Sequence, residues 1–258
     1  MDDRKHAVCT NGKQRNPMRA ILIPVKEFCE AKKRLAPHFS PSDRAALAQA
    51  MCEDFFSRIA EVRSVDRIFV VSKEPRAISM AGKLGWETIV DPRQISESDS
   101  VDAASAYCAG RGVHALLRLP IDIPLVEPRD IEAVFQELRK APAAVLVPSS
   151  DGTGTNALLR SAPGIFPSRF GINSFSRHLA EAQQCGAHAQ VLRNPRIELD
   201  IDELDDLRKL APLLRPESAT ARWLFERGIG SSTLLSEVPG NGAVPLDIRR
   251  IDPPSLGK

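Results

Sequence analysis

The sequence predicts an α/β fold built on a mostly parallel central sheet. Three observations carry that prediction. Short continuous apolar runs recur, as in Ala20-Ile21-Leu22-Ile23-Pro24-Val25 and Ile68-Phe69-Val70-Val71, and such runs suit strands buried on both faces. Segments with apolar residues three and four apart alternate with them, and a repeated β-α-β order implies parallel strands with helices on both faces. A length of 258 residues accommodates one large domain of this kind with appendages.

The elements follow in order. Residues 1–17 lack hydrophobic periodicity and read as a flexible tail, with Met18 a candidate start. A strand is expected over 20–25. Ser40-Pro41-Ser42-Asp43 announces a helix, with a capping Ser, Pro in the first turn and an acid at the third position. Leu47, Met51, Phe55, Ile59 and Val62 then give it one apolar face. Strands are expected over 66–72 and 86–90, separated by a helix over 75–84. A helix over 101–111, a strand over 113–119 and a helix over 128–140 continue the alternation. Strands follow at 143–147 and 156–159, and a helix at 174–185 is stopped by Gly186. Residues 196–201 read as a strand and 202–210 as a short helix. Beyond Pro212 the alternation lapses, leaving one helix over 217–227 and a loose tail rich in Gly, Pro and Ser. The expected organisation is a tail (1–17), a catalytic domain (18–212) and a C-terminal extension (213–258).

Composition excludes several function classes. Charged residues make up 26% yet leave a net charge of only +2, and aromatics are 5%, so the basic, aromatic-rich face of a nucleic-acid binder is missing. No apolar run reaches the length needed to cross a bilayer, and the first residues lack a secretory core. Five scattered cysteines without a CxxC pair suit reduced thiols, hence a cytoplasmic setting.

Sheets of this class bind ligands beyond the carboxyl ends of their strands, and the chemistry-bearing residues fall there. Asp151-Gly152-Thr153-Gly154-Thr155-Asn156 and Phe170-Gly171-Ile172-Asn173-Ser174-Phe175 offer backbone N–H groups and hydroxyls as a cradle for phosphate or carboxylate. After the first strand, Lys26 and the run Lys32-Lys33-Arg34 are placed to meet phosphate oxygens; as a charge run they also suit a solvated loop. Neither GxGxxG nor GxxxxGK[ST] occurs. Asp122 follows a buried apolar strand, where a carboxylate calls for a cation or hydrogen bonds; it serves Mg²⁺ or caps a turn. Asp200 and Asp202, spaced to face one way on a strand end, could join Asp122 on a metal, although Asp202 is also well placed to cap the following helix. His178 is the histidine nearest this region, and no Ser/His/Asp or Cys/His arrangement is visible.

Several of these segments together resemble the phospholactate/phosphoenolpyruvate/3-phosphoglycerate guanylyltransferase family of coenzyme F420 biosynthesis. They are Val25-Lys26 with Ala31-Lys32-Lys33-Arg34-Leu35, residues 44–54, Asp122-Ile123-Pro124-Leu125, Gly152-Thr153-Gly154-Thr155-Asn156-Ala157-Leu158, Phe170-Gly171 with Ser174-Phe175 and His178, and Leu199-Asp200-Ile201-Asp202 with Asp206-Leu207. The resemblance runs from about residue 19 to 210. It implies a Rossmann-like nucleotidyltransferase fold of the nucleotide-diphospho-sugar transferase type. It also implies transfer of GMP from GTP to the phosphate of a three-carbon acid, with release of pyrophosphate. By position, Thr155, Gly171 and Ser174 would hold the acid; Asp122, Asp200 and Asp202 would be the metal (Mg²⁺) candidates. Lys26, Lys32 and Arg34 would lie along the triphosphate, with Lys26 and Asp122 the catalytic pair.

One stretch departs from the family pattern. Where the family often has Leu-Asn, this chain reads Ser100-Val101-Asp102-Ala103-Ala104. The extra acceptor at Asp102 favours 3-phospho-D-glycerate over phosphoenolpyruvate and 2-phospho-L-lactate. The implied partners are small molecules, GTP and the acid; handover to the next transferase of the pathway and a homodimer are both compatible with this reading. The competing readings are another nucleotidyltransferase, acting on a sugar phosphate or molybdopterin, and a non-catalytic nucleotide-binding protein.

Overall fold

The structure, a computed structural model, describes residues 17–139, 141–229 and 249–251. Its first half comprises β1 (Met18–Val25), α1 (Pro41–Ile59), β2 (Arg67–Ser72), α2 (Pro75–Lys83), β3 (Glu87–Val90), α3 (Glu97–Gly110), β4 (Val113–Arg118) and α4 (Pro128–Gln136). The second comprises β5 (Ala143–Pro148), β6 (Thr155–Ser161), α5 (Ser174–Gln184), β7 (His188–Arg193), α6 (Pro195–Glu198), α7 (Leu204–Leu210), α8 (Ala219–Glu226) and β8 (Arg249–Ile251). The described strands form one sheet in the order β3-β2-β1-β4-β6-β5-β7-β8. Pairings β1–β2, β1–β4, β2–β3 and β5–β7 are parallel, whereas β6 runs antiparallel to β4 and β5.

The expected α/β architecture is present, with local reasons visible at several helix starts. Ser40 Oγ accepts from Asp43 N at 3.1 Å, and Leu47, Met51, Phe55 and Ile59 of α1 are fully buried, each such side chain stabilising the fold by roughly 1.5–3 kcal/mol. They divide between two cores. Phe55 and Ile59 pack with β1 and α4, while Leu47 and Met51 join Leu35, α7 and α8. The helical part of the expected C-terminal extension is therefore built into the packed unit: Trp223 lies edge-on to Phe39 at 5.1 Å, and Asp54 of α1 accepts from Ala219 N and Thr220 N, both at 2.8 Å.

Three expectations need correction. Residues 196–201 do not form a strand. Asn194 accepts from Arg196 N and Ile197 N and Pro195 fixes the first turn, so the Asn-Pro pair starts the one-turn helix α6. The strand here is β7, unforeseen because His188-Ala189-Gln190 is a weak strand sequence; it pairs with β5. α3 begins at Glu97 rather than 101, capped by Ser96 through Asp99 N at 3.1 Å. The N-terminal tail over residues 1–16, residue 140 and most of the C-terminal tail (230–248 and 252–258) lie outside the described residues. Residues 249–251, expected to be loose, instead pair antiparallel with β7 as β8.

Two features of β6 position the site. Because the strand is reversed, its beginning rather than its end meets the carboxyl end of β4. Its register with β5 also slips: Val147 pairs with Ala157, but Pro148 pairs with Thr155. Asn156 is thus the extra residue of a bulge, beside a proline that has no N–H for the ladder. Below the bulge, Ala157 and Leu159 join the core shared with α1 and α4, and Leu158 joins the core under α5. Plain alternation would send Asn156 toward α5. The bulge reverses this, placing Thr155 against α5 and Asn156 against α6.

Candidate active site

Lys32 organises one side of the crevice. It has φ 54° and ψ 41°, a left-handed conformation uncommon for a residue with a side chain. Its ammonium is nearly sealed from solvent. Nζ donates to Asp122 Oδ2 at 2.9 Å and to Ile201 O, and lies 3.7 Å from Asp202 Oδ1. Burial disfavours charge on Lys32, but Asp122 and Asp202 outweigh it and raise its pKa. Burial also opposes charge on Asp122, and Lys32, aided by Arg118, more than offsets that to hold its carboxyl below the ordinary value. Asp202 also accepts from Arg34 Nη1 at 2.9 Å.

Asp200 differs from its neighbours. Burial, followed by the charges of Asp122 and Asp202, pushes it up to about 6, against a hydrogen bond from Asn156 Nδ2 at 3.1 Å. Asn156 also donates to Ile197 O and Glu198 O, at 2.9 and 3.0 Å, so the bulge residue fixes the segment carrying Asp200. That segment is irregular chain after α6, tied to the Asp122 loop by Ile201 N donating to Asp122 O at 3.0 Å. The expected strand-end geometry of Asp200 and Asp202 is replaced by this tie. Among the described residues no group of three or more His, Cys, Asp or Glu side chains is arranged to close on one metal ion.

The other side of the crevice is neutral and closely hydrogen-bonded. Thr155 Oγ1 lies 3.0 Å from His178 Nδ1 and 3.3 Å from Ser174 Oγ, and all three side chains are buried. His178 Nε2 accepts from Arg169 N at 2.8 Å. Burial, then the charges of Arg118, Arg160, Arg177 and Arg169, lower the His178 pKa to about 3. Gly171 has φ +109°, a backbone shape that suits glycine. Ser174 is the first residue of α5, and Asn173 takes the cap position.

The Gly-rich loop does not present its donors as expected. Asp151 accepts from Ser149 Oγ, Thr153 N and Thr153 Oγ1, and Gly154 N donates to Ser149 Oγ at 2.7 Å. These bonds hold the Asp151 carboxyl down at about 2. An internal carboxylate thus occupies the cradle, and the loop instead places Thr155. A Cβ on Gly154 would lie 2.8 Å from Ser149 Oγ, so a side chain there would push Ser149 out of its bonds to Asp151 and Gly154 N.

Sequence reasoning missed Arg118, the last residue of β4. Its guanidinium is buried, bonded to Glu97 and to Thr155 O (3.3 Å), and stacked 4.1 Å from the Phe170 ring centroid. The available signal was a lone arginine ending an apolar strand four residues before Asp122. Lys26 is exposed and 3.7 Å from Glu97. Asp102 lies inside α3, where both carboxylate oxygens accept from Ser168 N, at 3.0 and 3.1 Å, and one lies 3.6 Å from buried Arg160.

A sheet of this topology, with cations and carboxylates after β1 and β4 and a buried Thr155–Ser174–His178 cluster at the start of β6, suits a nucleotidyltransferase. Among solved structures the chain is similar to a protein from Desulfovibrio desulfuricans G20 described as a nucleotide-diphospho-sugar transferase, with TM-score 0.67, 15% identity, and coverage of 82% of this chain and 96% of that one. It is also similar to a cytidylyltransferase from Leptospira borgpetersenii, with TM-score 0.51, 14% identity, and coverage of 84% and 99%. The chain belongs to the family described as "Guanylyl transferase CofC like", whose profile matches residues 18–230; the match runs past the expected domain end at 212 and takes in α8. Relatives include a phosphoenolpyruvate guanylyltransferase of Conexibacter woesei, 32% identical over 75% of this chain and 87% of its own length. Others are a 2-phospho-L-lactate guanylyltransferase of Methanothermobacter thermautotrophicus (31%; 78% and 86%) and a 3-phospho-D-glycerate guanylyltransferase of Colwellia psychrerythraea (31%; 76% and 92%). Among the described residues no helix is long and apolar enough to cross a membrane.

Proposed function

We propose that the protein transfers GMP from GTP to the phosphate of a phosphorylated three-carbon acid, releasing pyrophosphate, as a step of coenzyme F420 biosynthesis. The observation that carries this reading is the pairing of a cation–carboxylate cluster at Lys32, Asp122, Asp200 and Asp202 with the hydrogen-bonded Thr155–Ser174–His178 cluster across one strand. The acid's phosphate oxygen attacks the α-phosphorus of GTP, the bond from that phosphorus to the β-bridging oxygen breaks, and pyrophosphate leaves. The attacking group is already an anion, so no general base is needed, which fits a site whose one histidine is held neutral. Alignment and charge neutralisation then supply the catalysis.

Lys26, Lys32 and Arg34 are the cations for the triphosphate, although Lys32 is tied to Asp122 and Arg34 to Asp202. Gly171, Thr155 and Ser174 receive the acid. The donor set fits Mg²⁺, which takes one or two protein carboxylates and fills its shell with water and phosphate oxygens. Asp200, raised by burial and then by its acidic neighbours, is the group such a cation would relieve, with Asp122 as the second ligand and Asp202 a third candidate. When bound, Mg²⁺ supplies charge stabilisation at the phosphoryl oxygens.

3-Phospho-D-glycerate is the favoured acid, on the acceptor that Asp102 offers: its partly exposed carboxylate shares one N–H, from Ser168, and keeps lone pairs for a substrate hydroxyl. The three acids are compared directly. The test is pyrophosphate release with GTP and Mg²⁺ against 3-phospho-D-glycerate, phosphoenolpyruvate and 2-phospho-L-lactate, with a no-acid control. Release that depends on one acid supports the reading and identifies that acid. Silence with all three, from folded protein that binds GTP, overturns it.

A further inference from the structure

We propose that His178 is a positioning residue that sets the direction of the Thr155 hydroxyl, so that this hydroxyl donates its hydrogen to an anionic oxygen of the acid substrate. The inference rests on the reading that Thr155 holds the acid. It starts from a backbone donor. Arg169 N–H points at His178 Nε2 at 2.8 Å, so Nε2 must present a lone pair. A neutral imidazole then carries its hydrogen on Nδ1, and burial among arginines keeps the ring neutral. The ring therefore donates from Nδ1 to Thr155 Oγ1 across 3.0 Å.

A hydroxyl has one hydrogen and two acceptor lone pairs. On Thr155, one lone pair takes the His178 hydrogen and the other faces Ser174 Oγ, which donates across 3.3 Å. The Thr155 hydrogen is left for a third partner. Arg118 brings Nη1 within 3.3 Å of the Thr155 backbone oxygen, so positive charge sits at this residue and favours an anion as the partner. The ring is itself held in place: it meets Phe170 edge-on at 4.8 Å, and Phe170 N donates to Ser98 Oγ at 2.9 Å. The histidine thus fixes a hydroxyl without touching substrate.

Two substitutions separate this role from simple packing. The amide nitrogen of His178→Asn reaches the position of Nδ1 and keeps a donor to Thr155. The amide of His178→Gln reaches the position of Nε2, where it can accept from Arg169 N but leaves Thr155 without its donor. The expected result is a KM for the acid raised roughly tenfold in His178→Gln, the loss of one hydrogen bond to a charged group, with KM for GTP unchanged. His178→Asn rescues most of that loss. In a Thr155→Val background His178→Gln adds nothing further.

Equal acid KM values in the two His178 variants would overturn the proposal while leaving Thr155 as an acid ligand, provided Thr155→Val alone raises that KM. If Thr155→Val has no effect, the acid-site reading itself fails. A third measurement is independent of activity. Two-bond proton–nitrogen correlation spectra of the intact protein, assigned with His178→Asn, are expected to show Nδ1 protonated and Nε2 bare. The reverse pattern would overturn the proposal.

Discussion

The two sides of the crevice solve opposite problems. Around Lys32 the chain brings Asp122 and Asp202 to 2.9 and 3.7 Å from one buried ammonium held in a left-handed backbone conformation, and burial, with the charges of those two acids, raises the pKa of neighbouring Asp200. Around Thr155 the side chains of Thr155, Ser174 and His178 are neutral and hydrogen-bonded to one another, with the Arg118 guanidinium beside the Thr155 backbone oxygen. The first side is electrostatically unfinished and calls for cations and phosphates. The second is organised before any ligand arrives, which lowers the ordering cost of binding.

The largest expected break in this comparison is Asp122→Asn. It should reduce turnover on the order of 10³-fold, as losses of central electrostatic groups do, with the fold kept because Lys32 retains Asp202 and Ile201 O. Full activity in that variant, measured by pyrophosphate release, would remove Asp122 from the reaction. Next is Lys32→Met. The shape is similar, but Asp122 and Asp202 lose their shared cation, and about 2 kcal/mol of stability by urea unfolding is the expected cost, below the figure for a fully buried pair because both acids keep some solvent. An unchanged midpoint would show that the cluster needs no internal cation.

Opposite responses to pH would sharpen the contrast. The folded pKa of His178 is depressed from 6.5 to about 3, so stability falls as pH drops below 6.5; between pH 7 and 5 this group costs about 2 kcal/mol. Asp200 is raised from 3.8 to about 6, so the folded state holds its proton more tightly and stability falls as pH rises between those values. In chelator, Asp200→Asn should therefore stabilise the protein at pH 7 by up to about 3 kcal/mol, and His178→Asn should flatten the acid limb. Thermal melts across pH 4 to 8 read both; parallel curves for wild type and variants would erase the distinction. The smallest effect is Gly154→Ala. Its Cβ meets Ser149 Oγ at 2.8 Å, costing roughly 1–2 kcal/mol and raising the KM for the acid through Thr155; an unchanged melt and KM would show that the loop can yield.

The repeated β-α-β order, the cap at Ser40 and the apolar face of α1 were all legible, because each depends on residues adjacent in sequence. Candidate site residues could be named from the sequence, but their partners could not. Lys32 meets Asp122 across 90 positions and Arg34 meets Asp202 across 168, distances over which spacing carries no signal. Asp151 looked like the start of an open cradle; only the folded loop shows its carboxylate filling that cradle. Arg118 was hidden by its own strand, since a run read as apolar conceals the one charge that ends it. The strand expected at 196–201 failed because Asn194-Pro195 is a local helix start that outweighs an alternating pattern.

The bulge at Asn156 has an evolutionary consequence. Thr155 and Asn156 are neighbours in sequence, yet they serve opposite sides of the crevice only because one residue is in excess there. A one-codon deletion at this point would restore ordinary pairing and turn the hydroxyl away from α5, inactivating the enzyme without unfolding its sheet.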